Sequence, residues 1–385
     1  MSGLKSFVWL STRRGLGARK AGDLLARFGT PEAVYSAPPE EYDEIPSLTR
    51  IDKAELKNKS TDVADTVMKA CEDKQIQLVT IQDAGYPNRL KNIDAPPVLL
   101  YVRGTLPVID DEVCIAMVGT RRCTAYGISV AGRFGEEISA GGGIIVSGMA
   151  KGVDSAGHKG ALNAGAPTVA VLGCGVDVCY PPGNTDLMNK IISNGAVISE
   201  YPPGVEAFAG NFPPRNRIIS GLSLGVVVIE APVSSGALIT ANHAADQGRD
   251  VFCVPGNIDS PSNAGVNNLI KEGAKAVTCG EDVLSEYLHM FPHKINIKNI
   301  GAAKIWRSPG ARKSTNSVLA ERLNRYSGDD RKILEAMTGG AAHIDDIILS
   351  SGLVSSAVAA KLTFFEIENV VVQKPGKNYE LGKNF

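Results

Sequence analysis

The chain has 385 residues, 44% of them hydrophobic and 21% charged, with a formal net charge of −1. This composition suits a globular chain of two or three domains, and no apolar run reaches the ~18 residues of a membrane span. Seven cysteines without a C-x-x-C pair fit neither a disulfide framework nor a zinc site, and the first apolar stretch is too short for a secretory signal. The expectation is a cytoplasmic protein with no membrane, metal or cofactor.

The near-neutral total hides an alternation along the chain. Lys5, Arg13, Arg14, Arg19, Lys20 and Arg27 face only Asp23 over residues 1–30, a balance of +5. Nine acids face four bases over residues 31–65, and eight bases face Glu321 alone over residues 290–326. Such blocks fit either a polyanion partner or an ordinary solvated surface.

Residues 1–70 read as a small helical domain. The turn Gly15-Leu16-Gly17 precedes Ala21, Leu24, Leu25 and Phe28 at helical spacing, closed by Gly29. This is either one half of a DNA-contacting helix-hairpin-helix or a plain glycine-capped turn. Residues 71–112, with "YPNRL" and "APPVLLYVRG", read as proline-punctuated extended segments packed along the next domain.

Residues 113–288 alternate apolar β-rich runs with helical stretches. The runs are Val113–Val118, Ile144–Ser147, Thr168–Leu172, Ala196–Ser199, Val226–Ile229 and Asp250–Val254. The helical stretches are Ala125–Ala140, Val153–Ala164, Asn184–Asn194, Ile218–Leu222 and Leu238–Gln247. The fold class expected is α/β, an extended Rossmann-like, doubly wound, mostly parallel sheet spanning 71–288, with ligands at the carboxyl ends of its strands. Residues 289–326 read as a basic linker. Residues 327–385, with three helices and a hairpin on Gly376 and Asn378, read as a winged-helix domain, serving either duplex DNA or a protein contact.

Each strand of the α/β region ends in a glycine-rich or polar loop. The first is "VGTRRCTAYG", with Gly119, Thr120, Arg121 and Arg122; the second holds Gly148 and Lys151; the third, "GCGVDVCYPPGN", holds Tyr180. The fourth is "NFPPRNRIISGLS", with Phe212, Arg215, Asn216 and Arg217, and the fifth carries Ser234, Ser235 and Gly236. On one edge of a doubly wound sheet these supply positive charge, backbone donors and an aromatic ring, the parts of a single-strand nucleic-acid site. Phe212 is equally readable as a core ring, and Asn216 and Arg217 as braces of the following helix. Catalysis has less behind it. The P-loop pattern and the G-x-G-x-x-G fingerprint after the first strand are absent, so Asp154, His158 and Glu230 would have to form an acid–base set for cleaving a nucleotide N-glycosidic bond.

The ordered segments "MVGTRR…YG", "VSGMAKGVDSAGHKGAL", "VLGCGVDVCYPPGN", "SEYPPG", "FPPRNRIISGLS", "SSGALITANHAADQGRDVFCVPG" and "IKEGAKAV" resemble the DNA processing protein A family (DprA/Smf) from about Tyr86 to Leu288. The resemblance implies a bacterial cytosolic, non-catalytic homodimer that binds incoming single-stranded DNA in natural transformation. It also implies loading of a RecA-type recombinase past single-strand-binding protein. Arg121 and Phe212 match the family's DNA-contacting arginine and phenylalanine, with Arg215 and Arg217 beside the latter. Ala209 and Pro182 stand where relatives often carry lysine, which implies fewer phosphate contacts here. A winged-helix transcription regulator is the other reading, and it would place duplex preference in 327–385.

Overall fold

The computed structural model describes residues 3–302, 323, 326–338, 342–374 and 376–382. They fall into two compact units, residues 1–306 and 307–385.

The first unit opens with five helices: α1 (Gly3–Ser11), α2 (Ala18–Phe28), α3 (Pro31–Ser36), α4 (Arg50–Lys57) and α5 (Asp62–Asp73). Local chemistry sets their ends. Gly29 closes α2 at a positive φ of 80°. Thr30 Oγ accepts from the Ala33 N–H to start α3, with Pro31 in the first turn, and Thr49 and Asp52 form a reciprocal capping box on α4. Their apolar faces do not close on themselves. Phe7, Trp9 and Leu10 share one buried cluster with Leu99, Tyr101, Leu187 and Ile191 of the following region, so helices and sheet form a single core.

That region runs β1 (Gln77–Thr80), α6 (Asn88–Lys91), β2 (Leu99–Gly104), β3 (Val113–Val118), α7 (Ala125–Ala140), β4 (Gly143–Ser147), α8 (Val153–Asn163), β5 (Thr168–Leu172) and α9 (Thr185–Asn194). It continues with β6 (Ala196–Ser199), α10 (Phe212–Gly221), β7 (Gly225–Val228), α11 (Gly236–Asp246), β8 (Asp250–Cys253), α12 (Ala264–Lys271), β9 (Lys275–Ala276) and α13 (Gly280–Leu284). Among the described residues nine strands form one sheet in the order β1-β2-β6-β5-β4-β3-β7-β8-β9. Every pairing from β6 across to β9 is parallel. The central strands are buried on both faces, as their continuous apolar sequences require. Val113, Ile115 and Met117 pack with Val130 and Phe134 of α7, whereas Cys114, Ala116 and Val118 pack with Ile218, Ile219 and Ala241 of α10 and α11. Helices therefore cover both faces, and the sheet is the doubly wound one expected. Helices α7 and α8 touch through glycines: a Cβ on Gly160 would lie 2.2 Å from the Gly132 carbonyl oxygen.

Two readings of local structure are corrected. Residues 71–112 are not merely packed along the sheet. Strands β1 and β2 belong to it, antiparallel to each other and, through β2, to β6. The helix expected over Ile218–Leu222 begins at Phe212, because Pro213 and Pro214 occupy first-turn positions where a missing N–H and a fixed φ cost nothing. Beyond α13, Ile295 is buried and Phe291, Ile297 and Ile300 pack on the same core as α7, so residues 291–300 of the expected linker run along this unit. Most of the rest of that linker, 303–322 with 324 and 325, lies outside the described residues.

The second unit contains α14 (Gly328–Glu335), β10 (Ala342–His343), α15 (Ile344–Ser351), α16 (Ser355–Ile367), β11 (Val371–Lys374) and β12 (Asn378–Leu381). Its strands pair in the order β10-β12-β11 around a small core of Ile333, Ile347, Leu362 and Phe365. Three helices followed by a hairpin are the winged-helix pattern. Among the described residues no single helix is long and apolar enough to cross a membrane.

Candidate nucleic-acid interface

The strand order reverses between β3 and β7, so the loops after these strands diverge into helices on opposite faces and leave a crevice at the carboxyl edge. The two loops are tied together there: the Thr120 N–H donates to the Glu230 carbonyl at 2.7 Å. Gly119 makes this approach possible, since a Cβ would sit 2.5 Å from Val153 Cγ2 and 3.0 Å from that same carbonyl oxygen. Glu230, 1% exposed, then accepts from the Thr124 N–H at 3.0 Å and from its hydroxyl at 3.1 Å, fixing the start of α7.

The crevice has a volume of about 710 Å³, within the ~300–1,000 Å³ of pockets that engulf a small ligand or part of a larger one. Gly119, Thr120, Arg121 and Arg122 line one side, Phe212, Arg215 and Asn216 another, and Ser234, Ser235 and Gly236 a third. Helices α10 and α11 start at this lining, with Phe212 and Gly236 as their first residues, and α7 starts just beyond Arg122. Their free N–H groups and positive dipole ends favour an anion. Ser235 caps α11 by accepting from the Ala237 N–H at 3.2 Å, which leaves the neighbouring Ser234 exposed.

Phe212 is half-buried, with its ring framed on several sides. The Arg121 guanidinium carbon lies 4.9 Å from the ring centroid and that of Arg215 5.8 Å away, while Tyr180 stacks at 5.3 Å with an interplanar angle of 30°. Tyr180 lines the crevice too, although the sequence reading names it only as a loop residue and not among the candidate site residues. Its one sequence signal was an aromatic in the third strand-end loop.

The two arginines of the fourth loop part company. Arg215 is 4% exposed, donating from Nε to Asn216 Oδ1 at 3.2 Å, from Nη1 to the Gly148 carbonyl at 3.1 Å, and from Nη1 to the Val171 carbonyl. Among the described residues no carboxylate forms an ion pair with it. Burial pulls its pKa down to about 10, Asp154 acting against that shift through space. A buried cation held by neutral carbonyls at the floor of a crevice stands ready for an anion. Arg217 turns the other way, into a separate groove, where Nη2 meets Glu200 Oε2 at 2.7 Å, Nη1 meets Oε1 at 3.0 Å, and Nε donates to the Ala95 carbonyl at 2.9 Å. Arg217 is a brace. Asn216 divides its side chain between Arg215 and the Gly236 carbonyl, joining α10 to the start of α11 while still lining the crevice.

Gly148 lies directly under the Arg215 guanidinium, where a Cβ would be 2.6 Å from Nη2, so it supplies that group with room as well as a carbonyl acceptor. Lys151 is exposed and outside the lining; Ala209 is in it, and Pro182 is exposed nearby on the Tyr180 loop.

The proposed acid–base set does not assemble. His158 is fully buried, its Nδ1 2.7 Å from Thr168 Oγ1, and burial followed by Arg215 drives its pKa down to about 3, leaving it neutral. Asp154 reaches the crevice, but its carboxylate faces the Ala150 N–H at 3.3 Å, and burial raises its pKa. Among the described residues no group of three His, Cys, Asp or Glu side chains could hold a metal.

The charge blocks of the N-terminal helices also resolve. Lys5 pairs with Asp65, Arg13 with Glu55, Arg19 with Asp94, Lys20 with Asp52 and Arg27 with Glu44. Four of these five acids come from the acidic block 31–65, so basic and acidic stretches largely neutralise each other within one set of helices.

Comparison with known proteins gives a consistent picture. The family model of DNA recombination-mediator protein A matches residues 77–288, and that of the DprA winged helix domain matches 320–377. Protein Smf of Synechocystis sp. is 36% identical over 325 residues, covering 80% of this chain and 81% of the relative. DNA processing protein DprA of Streptococcus pneumoniae is 44% identical over 208 residues, 54% of this chain and 73% of the relative. The X-ray structure of DprA from Streptococcus pneumoniae matches with a TM-score of 0.64 at 34% identity, covering 73% of this chain and 97% of that one. DNA processing protein A from Helicobacter pylori, solved for its single-stranded DNA binding mode, matches with a TM-score of 0.51 at 28% identity, over 56% of this chain and 97% of that one.

Proposed function

The chain belongs to the DNA recombination-mediator protein A (DprA/Smf) family, and from that premise we propose that it is a DNA-processing protein that binds single-stranded DNA in the crevice between β3 and β7. The observation that carries the proposal is the arrangement around Phe212: an exposed Arg121 over the ring, a buried Arg215 that forms no ion pair among the described residues, and converging helix N-termini. Phosphates would lie against Arg121, Arg122 and the N–H groups near Gly119, Ser234 and Gly236, with a base on the Phe212–Tyr180 pair. Stacking on such a platform contributes ~1–3 kcal/mol per base. A ring with a guanidinium on one side takes any base, so binding depends little on sequence.

In this reading the protein shields incoming strands and hands them to a RecA-type recombinase, without turnover, as a homodimer in transformation or recombination. The dimer, the recombinase and single-strand-binding protein enter the proposal from family membership. A role without turnover fits the buried, neutral His158 and an Asp154 whose carboxylate accepts from the Ala150 N–H. Residues 71–288 carry the strand, helices 1–70 brace that region through their shared core, and 327–385 act separately.

Fluorescence anisotropy of a labelled single strand and its duplex across a salt series tests the binding claim. The single strand should bind more tightly, with log affinity falling against log salt by roughly 0.7 per phosphate contact. Equal affinity for the duplex, or none for either, would overturn it. For the hand-over, wild type should speed recombinase filament formation on a strand coated with single-strand-binding protein, and Arg121→Ala should not.

A further inference from the structure

We propose that the second unit is a protein-docking module, whose α16 face takes a basic amphipathic helix of a partner protein rather than duplex DNA. In a winged helix, α16 is the element placed to enter a groove of DNA. Here its chemistry is wrong for phosphates. Over the described residues 326–382, Arg331, Lys332, Lys361, Lys374 and Lys377 face eight acids, a balance of −3. Lys361, the one base on α16, lies 2.7 Å from Asp330, and Arg331, Lys332 and Lys374 pair with Glu335, Asp329 and Glu380. Affinity for duplex DNA comes mainly from cations that neutralise phosphates, and of the five bases in the described residues 326–382 four are already committed to acids.

What α16 does present is apolar. Ala357, Ala360, Phe364 and Ile367 recur at spacings of three and four, one stripe along a helix about 20 Å long, with the half-buried Leu353 just ahead of it. Phe364 is 52% exposed, Ile367 74%, and Val354 at the head of the helix 70%. Nothing in the unit's own core requires them outside, since Val358, Leu362 and Phe365 already fill it. The stripe borders a groove of about 390 Å³ lined by Asp329, Leu353, Ala357, Ala360, Lys361 and Phe364. Clustered exposed apolar side chains of this kind mark interaction surfaces. A groove beside a helix accepts another helix through anchors at i, i+3, i+4 and i+7. Asp329 at one end, Glu366 and Glu368 around Ile367, and the excess of acids over residues 326–382 select an occupant with an apolar face and basic flanks.

The test uses the full chain and two labelled 18-residue helical peptides, one with a leucine face and lysine flanks, the other with glutamates replacing the lysines. At 0.15 M salt the lysine peptide should bind at least tenfold more tightly than the glutamate peptide. Phe364→Ser with Ile367→Ser should weaken it tenfold or more, as should Glu366→Lys, a surface change that keeps the apolar stripe and guards against misfolding of the serine pair. Affinity for a 20-base-pair duplex should not move in any variant. Peptide binding indifferent to these substitutions would overturn the proposal. So would loss of duplex affinity in the same variants, or a wild-type oligomer, seen by sedimentation, that the serine pair dissociates.

Discussion

Arg217→Ala separates the two neighbouring arginines, and its cost can be worked from the geometry. The change removes both contacts to Glu200, at 2.7 and 3.0 Å, and the bonds to the Ala95 and Pro214 carbonyls, each at 2.9 Å. The side chains of Arg217 and Glu200 are only 11% and 14% exposed. Glu200 would be left largely buried without its counter-charge, a loss of about 3 kcal/mol or somewhat more. In urea this corresponds to a midpoint lower by about 1 M, read by far-UV circular dichroism. Arg217→Met combined with Glu200→Gln should recover much of the loss, because removing both charges is cheaper than stranding one. Single-strand affinity of the folded variants, by anisotropy, should stay within about twofold of wild type. A variant of wild-type stability whose affinity has fallen tenfold or more would refute the reasoning and place Arg217 on the strand.

Arg121→Ala should leave the unfolding midpoint unchanged, because the residue is exposed. It should weaken single-strand binding at least tenfold and flatten the log–log salt dependence by roughly 0.7, seen in an anisotropy salt series. Phe212→Ala should cost ~1–3 kcal/mol of affinity at unchanged salt slope; an unfolded variant would instead make the ring a core residue. His158 is neutral in the folded chain with a pKa lowered to about 3, whereas the unfolded residue protonates near its ordinary value of 6.5. The unfolded state therefore binds the extra proton, and this residue's stabilisation is present above pH 6.5 and lost towards pH 3, by about 1.4 kcal/mol per pH unit. Imidazole nitrogen NMR should show His158 neutral at pH 5, and a charged ring there would contradict the burial argument. Gly160→Ala should destabilise the chain in thermal unfolding, because the new methyl meets the Gly132 carbonyl.

The sheet was legible because buried parallel strands must be continuously apolar and their connecting helices amphipathic, and both patterns survive in the string. The edge was less so. Strand β1 is only four residues with a polar start, and β2 follows a proline pair; both pair antiparallel, without the strand–helix alternation that marked the centre. At α10, polar residues and a proline pair hid the first six residues of a helix. The site divides along the same line. Glycine turns and arginines at strand ends are local, and they pointed to the crevice. Which arginine faces it is not local: Arg215 and Arg217 are two apart, some 200° around a helix, and only the fold puts Glu200 beneath one and the crevice beside the other. Tyr180 and Phe212 are joined by the sheet alone. The basic N-terminal block looked open to a polyanion because its counter-charges arrive from later helices.

Photo-crosslinking of a 5-iodouracil single strand, followed by mass spectrometry of the attached peptides, tests the location of the strand most directly. Crosslinks should fall on Phe212 or Tyr180 in wild type and disappear in Arg121→Ala. Crosslinks on residues 13–20 or on the α16 face, persisting in that variant, would move the strand away from the crevice and contradict the account.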